Sequence, residues 1–361
     1  MVIGQATAAQ RLKAKHIFCR DLSRIIASAK IRVFALDKTG TITRQGLRFA
    51  GVQPISNAKF SRVSLEYHNL PVMVRIGLAS AHTLSPLGPH ELVGHSVDKE
   101  MFAFTNFTIR RAETANDGST HPDGHVVLSS PSHVIDVIRT LEFESSLMRM
   151  LSVIRVRDTN EVFVLCKGSY ESIAKLLDEE LLPPTYSETA INHARTGCYT
   201  LALSYRSLGT VTNSSVNNMS RTELESSMEP LALLLFQNEV RPDSANAIDS
   251  LKRADVRTVM LTGDNVYTGV YAARESGMIS GEDDVILADV AEESKQHHGA
   301  GSNFSNGGAR VEFTNMSTGE RVGIWRRVNE LAQEQGMAIE VVIMEMESNS
   351  WRRWVVDMGH G

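Results

Sequence analysis

The chain has 361 residues, 42% hydrophobic and 22% charged, with 37 basic against 42 acidic side chains and a formal net charge of -5. That length predicts two domains or at most three, and the composition is that of a globular protein. The charge gives no electrostatic case for nucleic acid or for an anionic membrane surface. Three scattered cysteines, Cys19, Cys166 and Cys198, suggest neither a disulfide framework nor a metal site and fit a reducing compartment. No run of about 18 apolar residues is present, so no spanning helix is expected. The first residues lack the apolar segment of a signal peptide, and the chain is expected to be soluble.

Residues 1–20 read as a helix with a basic end at Arg11, Lys13 and Lys15, followed by a short connector. Residues 31–36, IRVFAL, form an apolar strand that stops at the polar turn Asp37-Lys38-Thr39-Gly40-Thr41. Strand ends of this kind are where α/β folds place chemistry. Helical spacing follows near 72–81 and 97–104, and 114–125 reads as a loop. Residues 147–157 and 161–166 read as adjacent strands joined at Asp158-Thr159-Asn160, with Cys166 a buried structural thiol. Helical patterns at about 171–178 and 187–196 precede a strand at 201–206, a Ser/Asn-rich loop at 207–220 and an apolar run at 231–236.

A βαβ-like unit comes next. A helix at about 242–253 leads to the strand 256–261, the turn Thr262-Gly263-Asp264-Asn265, and a helix at about 267–276. Residues 291–320 are polar and rich in Gly, Ser and Asn, as in a flexible insert. Periodicity returns at about 322–346, and no internal repeat is present.

The two polar turns end two apolar strands 227 positions apart, from 37 to 264. Parallel strands of one sheet bring such ends to one edge. Asp37 then has the makings of a carboxylate nucleophile that forms an aspartyl-phosphate. Thr39, Gly40 and Thr41 can offer backbone N–H groups to phosphate oxygens, and the Thr262 hydroxyl can hold another. Asp264 can sit near the Mg²⁺ that phosphoryl transfer requires. Either turn alone is an ordinary strand exit. Together, with a domain-sized segment between them, they are hard to explain as turns only.

DKTGT at 37–41, KGS at 167–169 and TGDN at 262–265, in that order, resemble the P-type ATPases. AQRLKAKHIFCRDLSRI (9–25), TGTITRQGLRFAGVQP (39–54), LASAHTL (78–84), GHSVDKEMF (94–102), LEFESSLMRMLSVI (141–154) and NEVRPDSANAIDSLKRADVRTVMLTGDN (238–265) are similar to the B subgroup of the type V pumps. The likeness covers about residues 9–280.

The resemblance implies an α/β fold. A haloacid-dehalogenase-like, Rossmann-type phosphorylation domain, here incomplete, carries an inserted α+β nucleotide-binding domain built on an antiparallel sheet. It implies a stalk-like helix at 1–20, phosphorylation-domain segments at 21–48 and 233–361 with a polar insert at about 285–320, and the nucleotide-binding domain at 49–232. Asp37 would be the phosphorylated aspartate, beside Lys38, and Thr39 would bind Mg²⁺ through its carbonyl and hold the γ-phosphate. Phosphatases of this fold carry an acid/base Asp two places after the nucleophile. Thr39 stands there instead, so an aspartyl-phosphate would persist. Phe143 would stack on adenine, and Lys167, followed by Gly168, would lie beside the phosphates of ATP. Asp98 and Arg149 match further nucleotide-site positions, and Arg241 matches a basic residue at the domain seam. Thr262, Gly263 and Asp264 would complete the catalytic centre.

The chain also departs from that family. His95 stands in Gly94-His95-Ser96-Val97-Asp98 where Asp is usual, and Tyr170 replaces the usual Pro or Ala. Tyr199 stands where an Arg commonly pairs with nucleotide phosphates, which predicts weaker ATP affinity. The Gly-Asp-Gly-x-Asn-Asp motif does not follow TGDN, and Lys295 is the nominal candidate for the catalytic lysine. No family signature is assigned to 281–361, where Trp325, Trp351 and Trp354 are expected in a core or interface. The chain is therefore expected to be a cytosol-facing fragment lacking the membrane and actuator domains of an endomembrane pump. As such it would not itself bind the transported cation or polyamine. The competing readings are a soluble phosphatase, opposed by Thr39, and a non-catalytic nucleotide-binding remnant.

Overall fold

The computed structural model describes residues 2–87, 91–114, 120–291, 310–322, 339–347 and 350–358. It divides into two compact units, one of Met1–Thr43 with Val240–Gly361 and one of Arg44–Glu239. The chain thus passes between units at 43/44 and 239/240, a few residues from the 48/49 and 232/233 expected.

The unit 44–239 is built on a nine-stranded sheet. Its spatial order is Lys59–Phe60, Arg48–Ser56, Glu229–Gln237, Cys198–Gly209, Glu161–Ser169, Arg149–Val156, Val134–Glu144, Thr120–Ser129 and Thr108–Thr114. Every pairing in it is antiparallel. The central strands read as unbroken apolar runs because helices cover both faces. Phe163, Leu165, Leu203 and Leu234 point to one core, shared with the helices Val72–Ser80 and Ser96–Ala103. Val164, Cys166, Ala202 and Leu233 point to the other, shared with Ile173, Tyr186, Ala190 and Leu224 from the opposite layer of helices. Burial pushes the Cys166 thiol up to about 12, which keeps it protonated and inert.

Several expectations fail here. The stretch 114–125 is no loop throughout, since strands run to Thr114 and from Thr120. The Ser/Asn-rich loop after Gly209 contains the helix Asn213–Asn218, which forms because the Thr212 hydroxyl accepts from Ser215 N–H and caps it.

The other unit holds a two-stranded parallel sheet, Val33–Asp37 beside Arg257–Leu261, with Asp37 opposite Leu261. Helices Ser244–Arg253 and Val266–Glu275 pack Ile248, Val266, Val270 and Ala273 around Ile42 and Met260. A separate five-stranded sheet is antiparallel in its pairings. Its order is Arg321–Val322, Arg310–Asn315, Ile286–Ala291, Ser350–Met358 and Ile339–Glu347. The strands Ile286–Ala291 and Arg310–Asn315 lie within the polar insert expected at 285–320, Ile286 and Ala288 being buried, and 292–309 falls outside the described residues. Trp351 and Trp354 lie on its strand Ser350–Met358, whereas Trp325 and Lys295 fall outside the described residues.

At the N-terminus the expected helix of 1–20 ends at Ala14, and the connector that follows contains a second helix, Ser23–Ser28. Among the described residues no helix is long and apolar enough to cross a membrane.

Candidate functional site

Two groups of the expected residues come together, one in each unit. In the first unit the parallel register brings the ends of strands Val33–Asp37 and Arg257–Leu261 level, so the turns after Asp37 and Leu261 adjoin. The chain leaves Asp37 through a tight turn in which Gly40 takes φ +81, the left-handed conformation that glycine adopts without steric cost. Thr43 closes the turn, its N–H and hydroxyl both donating to the Lys38 carbonyl at 3.0 and 3.1 Å.

Asp37 is exposed, whereas Lys38 is 1% exposed. The Lys38 ammonium lies 2.5 Å from Asp264 Oδ2 and so ties one turn to the other. Asp264 N–H donates to Thr262 Oγ1 at 3.1 Å, and Asn265 caps the next helix by accepting from Tyr267 N–H at 2.9 Å. Gly263 is open on its Cβ side. Arg241 stands on the surface, pairing with Asp243 at 3.1 Å.

The donor set fits Mg²⁺ in kind. An exposed carboxylate at Asp37, the Thr39 carbonyl and the nearby Asp264 carboxylate are hard oxygen ligands, and Mg²⁺ is commonly held by one or two carboxylates plus phosphate and water. Among the described residues no group of three or more His, Cys, Asp or Glu gathers as for a metal held by protein alone.

In the inserted unit a pocket of about 670 Å³ opens beside the Lys167 strand. Phe143, Glu142, His95, Met150, Gly168 and the Asp98–Lys167 pair line it. Phe143 is 49% exposed at the wall, and Met150 is buried beneath. The Phe143 strand carries one extra residue between the pairs Leu141–Leu151 and Glu144–Arg149. A bulge of this kind re-aims side chains, so that the consecutive residues Glu142 and Phe143 both face the pocket.

Lys167 is 5% exposed, and its ammonium is hydrogen-bonded to Asp98 Oδ1. Asp98 Oδ2 also accepts from Thr83 N–H at 3.3 Å. Burial pulls the Lys167 pKa below the ordinary lysine value, with Asp98 opposing it. Behind the pair lies His82, 5% exposed, whose Nδ1 accepts from Leu84 N–H at 3.2 Å. That bond places the ring proton on Nε2, which is buried with no hydrogen-bond partner among the described residues. Burial first, then the Lys167 charge, lowers the His82 pKa to about 4.

Gly168 is required by close approach. A Cβ there would stand 2.6 Å from Arg149 Cβ and closer still to the Met148 carbonyl. Gly168→Ala is expected to destabilise the chain by about 1–3 kcal/mol through overpacking, and urea unfolding of the two proteins measures it.

Arg149 is not in this pocket. In strand Arg149–Val156, Met150 faces the pocket, so by the two-residue alternation of a strand Arg149 faces the other side. There its guanidinium binds Glu225 Oε2 at 2.7 Å. Tyr199 packs against the core on the pocket side of the sheet without lining the pocket, and Tyr170 opens the helix Tyr170–Ala174. His82, Thr83, Glu142 and Met150 are contributors that the sequence reading did not single out one by one, although they fall in the segments 78–84 and 141–154 that carry the resemblance.

No protein-family model matches the chain. Among curated proteins it is 30% identical to Polyamine-transporting ATPase 13A3 of Macaca fascicularis, over 80% of this chain and 26% of that protein. It is 32% identical to Probable cation-transporting ATPase catp-6 of Caenorhabditis elegans, over 77% and 24%. With Vacuolar cation-transporting ATPase YPK9 of Saccharomyces cerevisiae it shares 28% identity, over 77% and 22%. By name these relatives are polyamine- or cation-transporting ATPases, and the chain belongs with them among the P-type ATPases. Within that family it falls in the type V group of polyamine- and cation-transporting pumps. The chain spans about a quarter of the length of the curated relatives it matches.

Proposed function

We propose that the chain is the ATP-using module of a type V pump, binding Mg²⁺-ATP in the Lys167 pocket and carrying the phosphoryl group on Asp37. The observation that carries the reading is the pocket wall, where an exposed aromatic ring and a buried ammonium stand apart on one surface, as base and phosphates require. Phe143 offers a face to adenine, and Lys167 offers charge to the phosphates. Thr262 and the N–H groups of the Asp37 turn orient phosphate oxygens.

An oxygen of the Asp37 carboxylate attacks the γ-phosphorus. The bond from that phosphorus to the β,γ-bridging oxygen breaks, and ADP leaves with the electron pair. Mg²⁺, held by Asp37 and the Thr39 carbonyl, supplies charge neutralisation when bound. Lys38 holds Asp264 against the turn and keeps the strand ends together. With Thr39 where a phosphatase has an acid, no side chain there activates water, so the acyl phosphate outlives its formation.

In this reading the two strand-end turns are the heart of a haloacid-dehalogenase-like domain, and the unit 44–239 is its nucleotide-binding insert. The pump would move a polyamine or another cation in an endomembrane, as its relatives' names suggest, with membrane and actuator domains as partners. The second reading, nucleotide binding without phosphoryl transfer, is favoured by the ammonium of Lys38 already occupying Asp264.

Calorimetric titration with Mg²⁺-ATP, followed by acid-stable trapping of labelled phosphate, tests both. The expected result is saturable binding and a phosphoenzyme that disappears in Asp37→Asn. Binding without label leaves the second reading, and no binding overturns both.

A further inference from the structure

The face of the nine-stranded sheet turned away from the pocket carries an ionic network with no role in the reading above. Arg149 Nη2 donates to Glu225 Oε2 at 2.7 Å, and Arg221 Nε donates to Glu225 Oε1 at 2.8 Å. Arg221 then reaches the hairpin twice more, through Nη1 to Glu144 Oε2 at 3.0 Å and Nη2 to the Arg149 carbonyl at 3.0 Å. Burial raises the Glu225 pKa, but the hydrogen bonds from both arginines outweigh it and hold the carboxyl below the ordinary glutamate value. The network is therefore charged, with two cations against two anions, and among the described residues Arg149 Nε is buried with no hydrogen-bond partner. Helix Arg221–Leu224, which presents it, is itself fixed by a capping box between Ser220 and Glu223.

Its position on the hairpin matters more than its charge. Glu144 and Arg149 are the pair that closes the bulge on the turn side, and the bulge is what brings Phe143 to the pocket. The turn between them holds Met148 at φ +52, a left-handed conformation that a non-glycine residue keeps only when its surroundings impose it. Those surroundings are on the same face. Ser172 Oγ donates to the Leu147 carbonyl at 2.5 Å, Arg149 Nη1 donates to that carbonyl at 3.3 Å, and Ser169 N–H donates to the Met148 carbonyl at 3.0 Å.

We propose that Arg221 and Glu225 are positioning residues for nucleotide recognition. By pinning Glu144 and Arg149 from behind the sheet, they fix the bulge and so the place of the Phe143 ring, without touching the ligand. Arg149 belongs to this device. The proposal rests on the reading that the pocket takes an adenine nucleotide. It predicts that the network serves the base end of the ligand and leaves the phosphate end, at Lys167, unaffected.

The test uses the full chain, with Glu225→Gln and Arg221→Gln as the variants. Arg206→Gln is the control, because Arg206 ties the Glu223 and Ser226 carbonyls of the same segment without reaching the hairpin. Each protein is titrated with Mg²⁺-ATP and with Mg²⁺-tripolyphosphate, which has no base. Hydrogen exchange of the amides at 141–149 is followed in the unliganded state. Because base stacking on one aromatic ring is a substantial part of nucleotide affinity, partial misplacement of Phe143 is expected to weaken ATP about tenfold.

Tripolyphosphate binding and the Arg206→Gln titrations stay at the wild-type value, and exchange at 141–149 quickens in the two network variants only. Equal weakening of ATP and tripolyphosphate, or unchanged exchange, overturns the proposal. If the wild-type chain binds no ATP, the nucleotide reading fails, and the exchange measurement alone decides whether the bulge is pinned. Arg221→Gln, at the more exposed end of the network, serves should Glu225→Gln fail to fold.

Discussion

Lys167→Met is expected to destabilise the inserted unit by about 3–5 kcal/mol, because it leaves the Asp98 carboxylate buried without its cation. Asp98 is 4% exposed, and its remaining bond in the pocket is the 3.3 Å contact from Thr83 N–H. One backbone amide does not replace an ammonium in that setting. The double variant Lys167→Met with Asp98→Asn removes both charges while keeping an acceptor for Thr83. It is expected to recover all but about 1–2 kcal/mol of the loss. Urea unfolding of the four proteins in the cycle measures the coupling. Equal stability of the single and double variants would show that the pair is no closed unit. The same cycle separates folding from ligand binding, since the double variant, though stable, lacks the ammonium and is expected not to bind Mg²⁺-ATP.

The second large effect is on pH. His82 is neutral in the folded chain down to about pH 4, whereas an unfolded histidine takes up a proton near 6.5. Between those values the unfolded chain binds a proton that the folded chain refuses. Acidification therefore favours unfolding across that window, and the stability is whole above pH 6.5. The full loss from this one ring is about 3 kcal/mol, reached near pH 4. Protonation must also break the 3.2 Å bond from Leu84 N–H, whose acceptor is the same Nδ1. His82→Gln keeps an acceptor for that bond but removes the titrating group, and is expected to flatten the fall in melting temperature between pH 7 and 5. Parallel falls in wild type and variant would rule His82 out as the source.

Much of the fold was readable where one face or one turn carried the signal. The apolar run before Asp37 and the one before Thr262 are strands, and the helices near 72–80, 96–103, 186–195 and 266–275 stand close to their expected spans. What was not readable has a common cause. In a sheet covered on both faces, polar and apolar residues do not alternate, so nothing local says which face holds the pocket. Arg149 and Met150 are neighbours in the chain and lie on opposite faces, and the arginine goes to Glu225, 76 positions away. Likewise the bulge at Phe143 depends on the register of two strands, and the setting of His82 depends on a lysine from a distant strand. The five-stranded sheet beyond Ile286 was missed because its strands are interrupted by polar segments that read as insert.

The strands Val33–Asp37 and Arg257–Leu261 pair across 224 chain positions, from 33 to 257. Closing so long a loop in an open chain carries an entropic cost that grows as the logarithm of its length. The ends of the inserted unit remove most of that length. Arg44 N–H donates to the Glu239 carbonyl at 2.8 Å, and Thr43 faces Val240, so a folded insert delivers the two halves of the outer unit side by side. The effective loop shrinks to a few tens of residues, which lowers the closure cost by about 2 kcal/mol. An insert that is already folded would therefore ease the pairing of the strand that ends in Asp37 with its partner.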